Sequence, residues 1–350
     1  MQRRRSIGAA LCSLALLSGL PAPAGAQPAT PYKIVTASER GTYIQIGRDL
    51  AKFIAPQAQI ELDALPSAGS AENIKRLRYE PGVKFALVQS DVYQAFLDQA
   101  AAGNSEAATI IRPLRVIMPL YNEEIYFVVR ADSPMNFVHE IKDAKINAGP
   151  IGSGTALTTA TLYRLMFNET LPEARASFQT NEEALVKLIS DKSVDVVALV
   201  LGQPAKLLTD MKPEVREFIK LLKVDPNHPT TKSALRTYFP AIVRATNYPN
   251  LINENIAAYS VKAYLVTYDY NLKDTKSYLA RFARSLCQNF AALQTSGHPK
   301  WKEVELAMPD PGAGWIYYPQ TAAELRQCIA ARAKPKCSME ETVLGLCSSK

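Results

Sequence analysis

Short β-branched or apolar runs alternate with segments of helical period along most of this 350-residue chain, and that alternation constrains the fold more than any other feature. Lys33-Ile34-Val35-Thr36 reads as a strand, and residues 43–54 as a helix with Ile46, Leu50, Phe53 and Ile54 on one face. A second strand over 60–64 leads through Pro66-Ser67-Ala68-Gly69-Ser70 into a helix over 71–78; a third, over 84–88, enters a helix over 92–99. This order specifies an α/β fold, a parallel sheet with helices on both faces. Residues 114–130 read as strand-rich with a polar break at Asn122-Glu123-Glu124, after which strands over 145–148 and 194–201 alternate with helices over 156–167 and 182–190. Residues 259–268 read as extended again, 273–293 as one long amphipathic helix, and the Pro-rich stretch 225–240 as an irregular loop. The chain is thus expected to build a first lobe over 27–124, a second over 125–256, and to complete the first over 257–330. Two crossings make a hinged pair of lobes with a cleft between them, where a ligand is expected.

The N-terminus carries the three parts of an export signal: Arg3-Arg4-Arg5, an apolar run over 7–20, and the small residues Ala24-Gly25-Ala26. Residues 1–26 are therefore read as a signal peptide cleaved after Ala26, because the run falls short of the ~20 residues a spanning helix needs. Cleavage removes three of 40 basic residues, leaving 37 against 33 acidic and a charge of +4. That is too mild to imply nucleic acid as a partner. The mature protein is expected in the periplasm as a monomer. Cys287, Cys328, Cys337 and Cys347 crowd its last fifth. An exported chain with four cysteines is expected to form two disulfides, in any of three pairings, that staple a tail over 331–350.

Three strand-to-helix turns of the first lobe carry small polar residues: Gly41-Thr42-Tyr43, Ser67-Ala68-Gly69-Ser70 and Gln89-Ser90-Asp91. Such turns line the carboxyl edge of a parallel sheet, although Ser, Thr and Asp also serve as ordinary helix caps. The sharpest local signal is Gly149-Pro150-Ile151-Gly152-Ser153-Gly154-Thr155, between a strand and a helix of the second lobe. It lacks the lysine of a nucleotide-binding loop and the third glycine of a dinucleotide fingerprint. What remains is a glycine-rich anion nest suited to one carboxylate, or a tight turn capped by Thr155. Catalytic signals are sparse. His139, His228 and His298 fall in no metal-ligand pattern and read as solvated surface residues, and no Gly-x-Ser-x-Gly elbow occurs. Neighbouring strand residues point to opposite faces, so Glu123 and Glu124 cannot flank one bond; Glu124 is a candidate cleft acceptor or a solvated charge. Tyr121, Tyr126, Tyr259 and Tyr264 either wall the cleft or pack in the core. No enzyme activity, metal or cofactor is expected.

In this order, the motifs resemble the TAXI family of solute-binding proteins of tripartite ATP-independent periplasmic (TRAP) transporters. The resemblance rests on Gly41-Thr42-Tyr43 with Gly47, Gly69-Ser70-Ala71-Glu72-Asn73, Leu87-Val88-Gln89-Ser90-Asp91, residues 126–132, Gly152-Ser153-Gly154-Thr155, residues 195–204 and residues 259–265. It implies a type II periplasmic-binding-protein fold that closes on a small carboxylate, such as glutamate, glutamine or 2-oxoglutarate, and passes it to the TRAP membrane subunits. Carried over by position, it implies ligand contacts at Thr42, Tyr43, Ser67, Ser70, Asn73, Gln89, Ser90, Asp91, Ser153, Gly154, Thr155 and Gln203. The chain departs from the family pattern at Glu39-Arg40, where an added basic group would favour a diacid or change the ligand altogether. A sensory or scaffold protein of the same fold, with no transport role, is the alternative.

Overall fold

The computed structural model describes residues 29–101, 103–312 and 314–333. The expected signal peptide, Cys337 and Cys347 lie outside the described residues. Among the described residues, ten strands form one mixed sheet: β1 (Thr30–Val35), β2 (Ile60–Leu65), β3 (Val83–Gln89), β4 (Leu114–Arg130), β5 (Ile146–Asn147), β6 (Ala176–Ser177), β7 (Val196–Leu201), β8 (Ile219–Leu221), β9 (Phe239–Val243) and β10 (Ile256–Tyr268). Their order is β2-β1-β3-β10-β4-β7-β5-β6, with β8 beside β4 and β9 beside β10. The outer strands of each half pair in parallel, β2 and β3 on β1, β6 and β7 on β5. Between them the long strands β4 and β10 run antiparallel, with register shifts at Lys262/Tyr264 and Leu265/Val266. Helices α1 (Thr42–Asp49), α2 (Ser70–Tyr79), α3 (Ser90–Ala101), α4 (Ser105–Ile111), α5 (Gly154–Phe167) and α6 (Asn181–Ile189) follow the strand ends or connect them.

Strand periodicity sorts the apolar residues into four clusters. Ile34, Phe85, Leu87 and Leu265 face one side of the first half of the sheet, Val35, Ala86, Val88 and Val266 the other. In the second half, Phe127, Ala198 and Val200 face one side, and Val128, Val197 and Leu199 the other. This is the signature of strands covered on both faces. Along β4 the first-half clusters end at Tyr121 and the second-half clusters begin at Ile125, so Asn122, Glu123 and Glu124 belong to none of the four. Tyr121, Tyr126, Tyr259 and Tyr264 each pack in one of these clusters.

The structure departs from the sequence expectations where tertiary contacts override the local pattern. The polar triplet does not break β4, because both glutamates are buried and hydrogen-bonded. The helix expected over 43–54 becomes α1 followed by a wider π-turn, Leu50–Ile54. The helix expected over 273–293 is divided at Asn289 into Lys273–Gln288 and Phe290–Ser296. The expected loop over 225–240 contains the short helix Pro229–Ala234, with Pro in its first turn and His228 as its cap.

One disulfide lies within the described residues, Cys287–Cys328, joining helix Lys273–Gln288 to the C-terminal helix Pro319–Ala333. It closes a loop spanning 41 residues. By the chain-entropy argument, replacing both cysteines with Ala should cost about 3–4 kcal/mol. Urea unfolding of the oxidised protein and the double variant measures that difference.

Candidate functional site

A cavity of about 240 Å³ lies where the ends of β1, β2 and β3 meet the glycine-rich loop after β5 and the C-terminal end of β7. Four helices begin on its wall: α1 at Thr42, α2 at Ser70, α5 at Gly154 and α6 at Asn181. First-turn N–H groups have no acceptor within their own helix and favour an anion. Caps remove some of them: the Ser153 hydroxyl accepts from the Ala156 amide at 3.0 Å, and Thr180 and Glu183 form a capping box on α6. Neither α1 nor α2 has a side-chain cap. The Glu72 amide in the first turn of α2 instead donates to the Gly152 carbonyl at 3.0 Å, across the gap between the two halves.

The glycines set this approach. Gly149 and Gly152 sit at φ +92° and +86°, which L side chains rarely adopt, and they fold the loop back on itself. Gly154 is constrained by space, since a Cβ there would lie 1.7 Å from Gln89 Oε1 and 2.7 Å from Ser70 Oγ. Other buried polar contacts join the halves as well. The Thr42 hydroxyl donates to the Gly202 carbonyl at 3.1 Å. Asp91 Oδ2 accepts from Thr158 at 2.6 Å and from Tyr238 at 3.0 Å. Burial pushes the Asp91 carboxyl up, and those two hydroxyls pull it partly back.

The wall opposite the loop holds Glu123, buried at 3% exposure, whose Oε2 accepts from the Tyr43 hydroxyl at 2.6 Å. Burial, and to a lesser extent the neighbouring Glu124 carboxylate, raise its pKa to about 8, against the Tyr43 hydrogen bond and the Lys300 charge. Gln89, also buried, lines the same space, and its Oε1 has no partner among the described residues. Glu124 faces away from the cavity. Its Oε1 accepts from Lys300 Nζ and Gln203 Nε2, both at 2.9 Å, and its Oε2 from the Gln203 amide at 2.9 Å. Lys300 is fully buried and also reaches Glu303 Oε2 at 2.7 Å.

Of the residues expected from sequence, Thr42, Tyr43, Ser67, Ser70, Gln89, Ser153, Gly154 and Thr155 line this cavity. Four do not. Asn73 donates to the Thr36 and Leu87 carbonyls and accepts from Ser67, tying strand ends together behind the wall. The Ser90 carbonyl accepts from the Trp315 indole, and Asp91 is engaged across the halves. Gln203 spends its amide on Glu124 and the Ile242 carbonyl, and its oxygen on Arg244 and Asn247. The expectation for Glu124 is corrected too, since Glu123 lines the cavity instead. Arg40 is exposed and outside the lining, so it supplies no charge there.

The histidines are not simply solvated. His139 and His228 stack with ring centroids 3.8 Å apart. His298 is half-buried, with its ring accepting from the Lys300 amide at 3.2 Å, and burial lowers its pKa to about 4. Glu123 and Lys300 escaped the sequence reading. The available signal was two carboxylates inside an otherwise apolar strand, a pattern that demands buried partners.

The pKa of Glu123 has a consequence for stability. Because the folded protein holds this proton more tightly than the unfolded chain, stability from this group is full below about pH 4.5 and falls as pH rises through 8. His298 acts in the opposite sense, but only between its ordinary value of 6.5 and about 4. Between pH 6.5 and 8, Glu123→Gln should therefore flatten the decline in stability expected of the wild type. Urea midpoints measured across that range test this; an unchanged slope would contradict the burial of an ionisable group here.

The comparisons with known proteins agree with this architecture. The fold is similar to that of the periplasmic binding protein BugD, at 14% identity over 87% of this chain and 96% of that one, TM-score 0.50. Other solved structures that match are a protein from Bordetella bronchiseptica RB50 (12% identity, 86% and 89% covered, TM-score 0.47) and the binding-protein component of an ABC phosphonate transporter from Pseudomonas aeruginosa (12%, 91% and 99%, 0.41). At such identities the likeness shows the mixed α/β fold of periplasmic binding proteins and no more. A search of curated proteins finds no match. The NMT1-like family matches residues 34–308. That span is well over half of the sequence, and the chain belongs to the NMT1-like family.

Proposed function

We propose that this chain is a periplasmic solute-binding protein that captures a small carboxylate between two closing lobes and delivers it to TRAP transporter membrane subunits. The observation that carries this reading is the convergence of four helix N-termini on one cavity between the two halves of the sheet. Free first-turn amides hold an anion without a cation, and backbone groups on rigid helices need no reorganisation to do so. The change of apolar clusters at residues 122–124 of β4 and at Lys262 of β10 supports a division into two lobes that turn about these strands. No helix among the described residues is long and apolar enough to cross a membrane. The TRAP assignment rests on the sequence resemblance, and the periplasmic location on the export signal and the fold. Capture of this kind makes and breaks no bond.

Ligand-dependent thermal shift tests the proposal. At free ligand a hundred times Kd, linkage adds about 2.7 kcal/mol of stability, enough to identify a ligand in a panel of organic acids and amino acids. Gly154→Ala should abolish that shift, because the added methyl would lie 1.7 Å from Gln89 Oε1 where α5 meets the other half. A panel without a single stabilising compound would overturn the reading.

A further inference from the structure

A second groove opens on the first half of the molecule, where the described chain ends. It has a volume of about 370 Å³ and shares no lining residue with the cavity between the halves. Its floor is apolar, with Phe290 and Val304 buried and Leu306 and Ile329 half-buried against the same core cluster. Lys302, Glu305 and Arg332 stand exposed around it. Arg332 also donates to the Cys287 carbonyl at 2.7 Å, which pins the last turn of helix Pro319–Ala333 beside the groove. Whatever follows Ala333 therefore leaves from the groove's rim.

The sequence that follows is complementary to the groove. Pro335 keeps the helix from running on, because the residue before a proline is biased out of the helical region. Beyond Cys337 come the acidic pair Glu340-Glu341, the apolar run Val343-Leu344-Gly345-Leu346 and Cys347. The acids match Lys302 and Arg332, the apolar run matches the floor, and Lys334 and Lys336 offer Glu305 an opposite charge. The connector 334–336 reaches about 10 Å when extended, enough to bring Cys337 over the rim. Disulfide Cys287–Cys328 also removes two of the three pairings that the sequence allows, leaving Cys337 with Cys347.

We propose that this groove is the seat of the chain's own tail: a disulfide Cys337–Cys347 closes residues 337–347 into a loop, and Val343, Leu344 and Leu346 of that loop cover Phe290, Val304, Leu306 and Ile329. The bond forms by thiol–disulfide exchange, in which the two thiols give up two protons and two electrons to a disulfide oxidant of the oxidising compartment, and that oxidant leaves as a dithiol. Closing the loop beforehand lowers the conformational entropy that docking costs. A segment held by so short a connector competes for the groove at an effective concentration on the order of millimolar, which favours it over a free partner or a second copy. The proposal goes beyond the solute-binding reading and shares with it only export to an oxidising compartment.

Two measurements on the oxidised chain test it. Trypsin cuts after Lys336 and so releases residues 337–350 as one peptide holding both cysteines. Digested without reductant and with thiols blocked, that peptide should be two hydrogens lighter than after reduction; a blocked thiol at either position, or a link from either to another chain, would overturn the loop. Glutamyl endopeptidase cuts after Glu340 or Glu341, and in the native protein it should do so at least about tenfold more slowly than in the free oxidised 337–350 peptide, since a docked segment is cut only when it opens. Leu306→Asp, which puts a charge in the floor, should bring the rate up to that of the peptide. Equal rates in the wild-type protein and the peptide would overturn the docking. So would protection that fades on dilution, which assigns the tail to a neighbouring copy, or a rate left unchanged by Leu306→Asp, which seats it elsewhere. The wild-type comparison involves no variant, and so decides the docking even if the substitution perturbs folding. No solute enters either measurement, and failure here leaves carboxylate capture standing.

Discussion

Two neighbouring carboxylates buried in the middle of one strand are the constraint around which the rest of the structure is arranged. Side chains of adjacent strand residues emerge on opposite faces, so Glu123 and Glu124 cannot share a partner and each needs its own. Glu124 is met by Lys300, from the part of the chain that follows the return through β10, and by Gln203, at the end of β7. Glu123 has Tyr43 and the Gln89 side chain, and lines the cavity. Breaking a buried pair strands a charge at a cost of about 3–5 kcal/mol, whereas forming one adds little net stability. The cluster therefore specifies where the two halves join more than it strengthens the fold.

The apolar clusters stop short of this point, and the crossing is consequently held by directional bonds. That division suits the proposed closure. A domain whose core ran unbroken through β4 and β10 would have to disrupt dense packing to bend. Here the contacts between halves include hydrogen bonds, such as Thr42 to Gly202, Glu72 to Gly152 and Asp91 to Thr158 and Tyr238, beside the packing of Leu157 of α5 on a first-half cluster. Each is worth about 0.5–1.5 kcal/mol net, because water replaces the partner on opening. Under the proposed closure, the open and closed forms would differ by a sum of small exchanges, a difference that a ligand's binding energy could tip.

Much of this was legible in the sequence, for reasons that are local. Alternation along residues 33–35 and 84–88 and the helical period that follows each strand are properties of a few consecutive residues, and the structure keeps them. Short strands such as β6 and β8 have too few residues to show a period, and exist because a neighbour's edge was open. The choice between Glu123 and Glu124 was illegible in principle. One step of register exchanges the faces of a strand, and nothing within β4 says which face meets the cavity. Lys300 was hidden for a different reason: its partner lies 176 residues away, and a lysine in Pro299-Lys300-Trp301 reads as surface until the fold buries it.

The glycine-rich loop shows how a motif can be recognised for one reason and required for another. Sequence logic singled it out as a nest whose amides face an anion, which explains Gly149 and Gly152, both at positive φ. Gly154 has no such conformational need; it is glycine because Gln89 and Ser70 of the other half occupy the space its side chain would take. The site is thus complete only when the halves meet. A ligand can shift a conformational equilibrium by no more than its difference in affinity for the two states. In this fold that difference has a definite origin: α5 and α6 stand on one half, α1, α2 and Gln89 on the other, and a molecule spanning the cavity contacts both only in the closed form. Under the proposed function, occupancy and shape would then be the same event, which is what a membrane partner would read to distinguish loaded protein from empty.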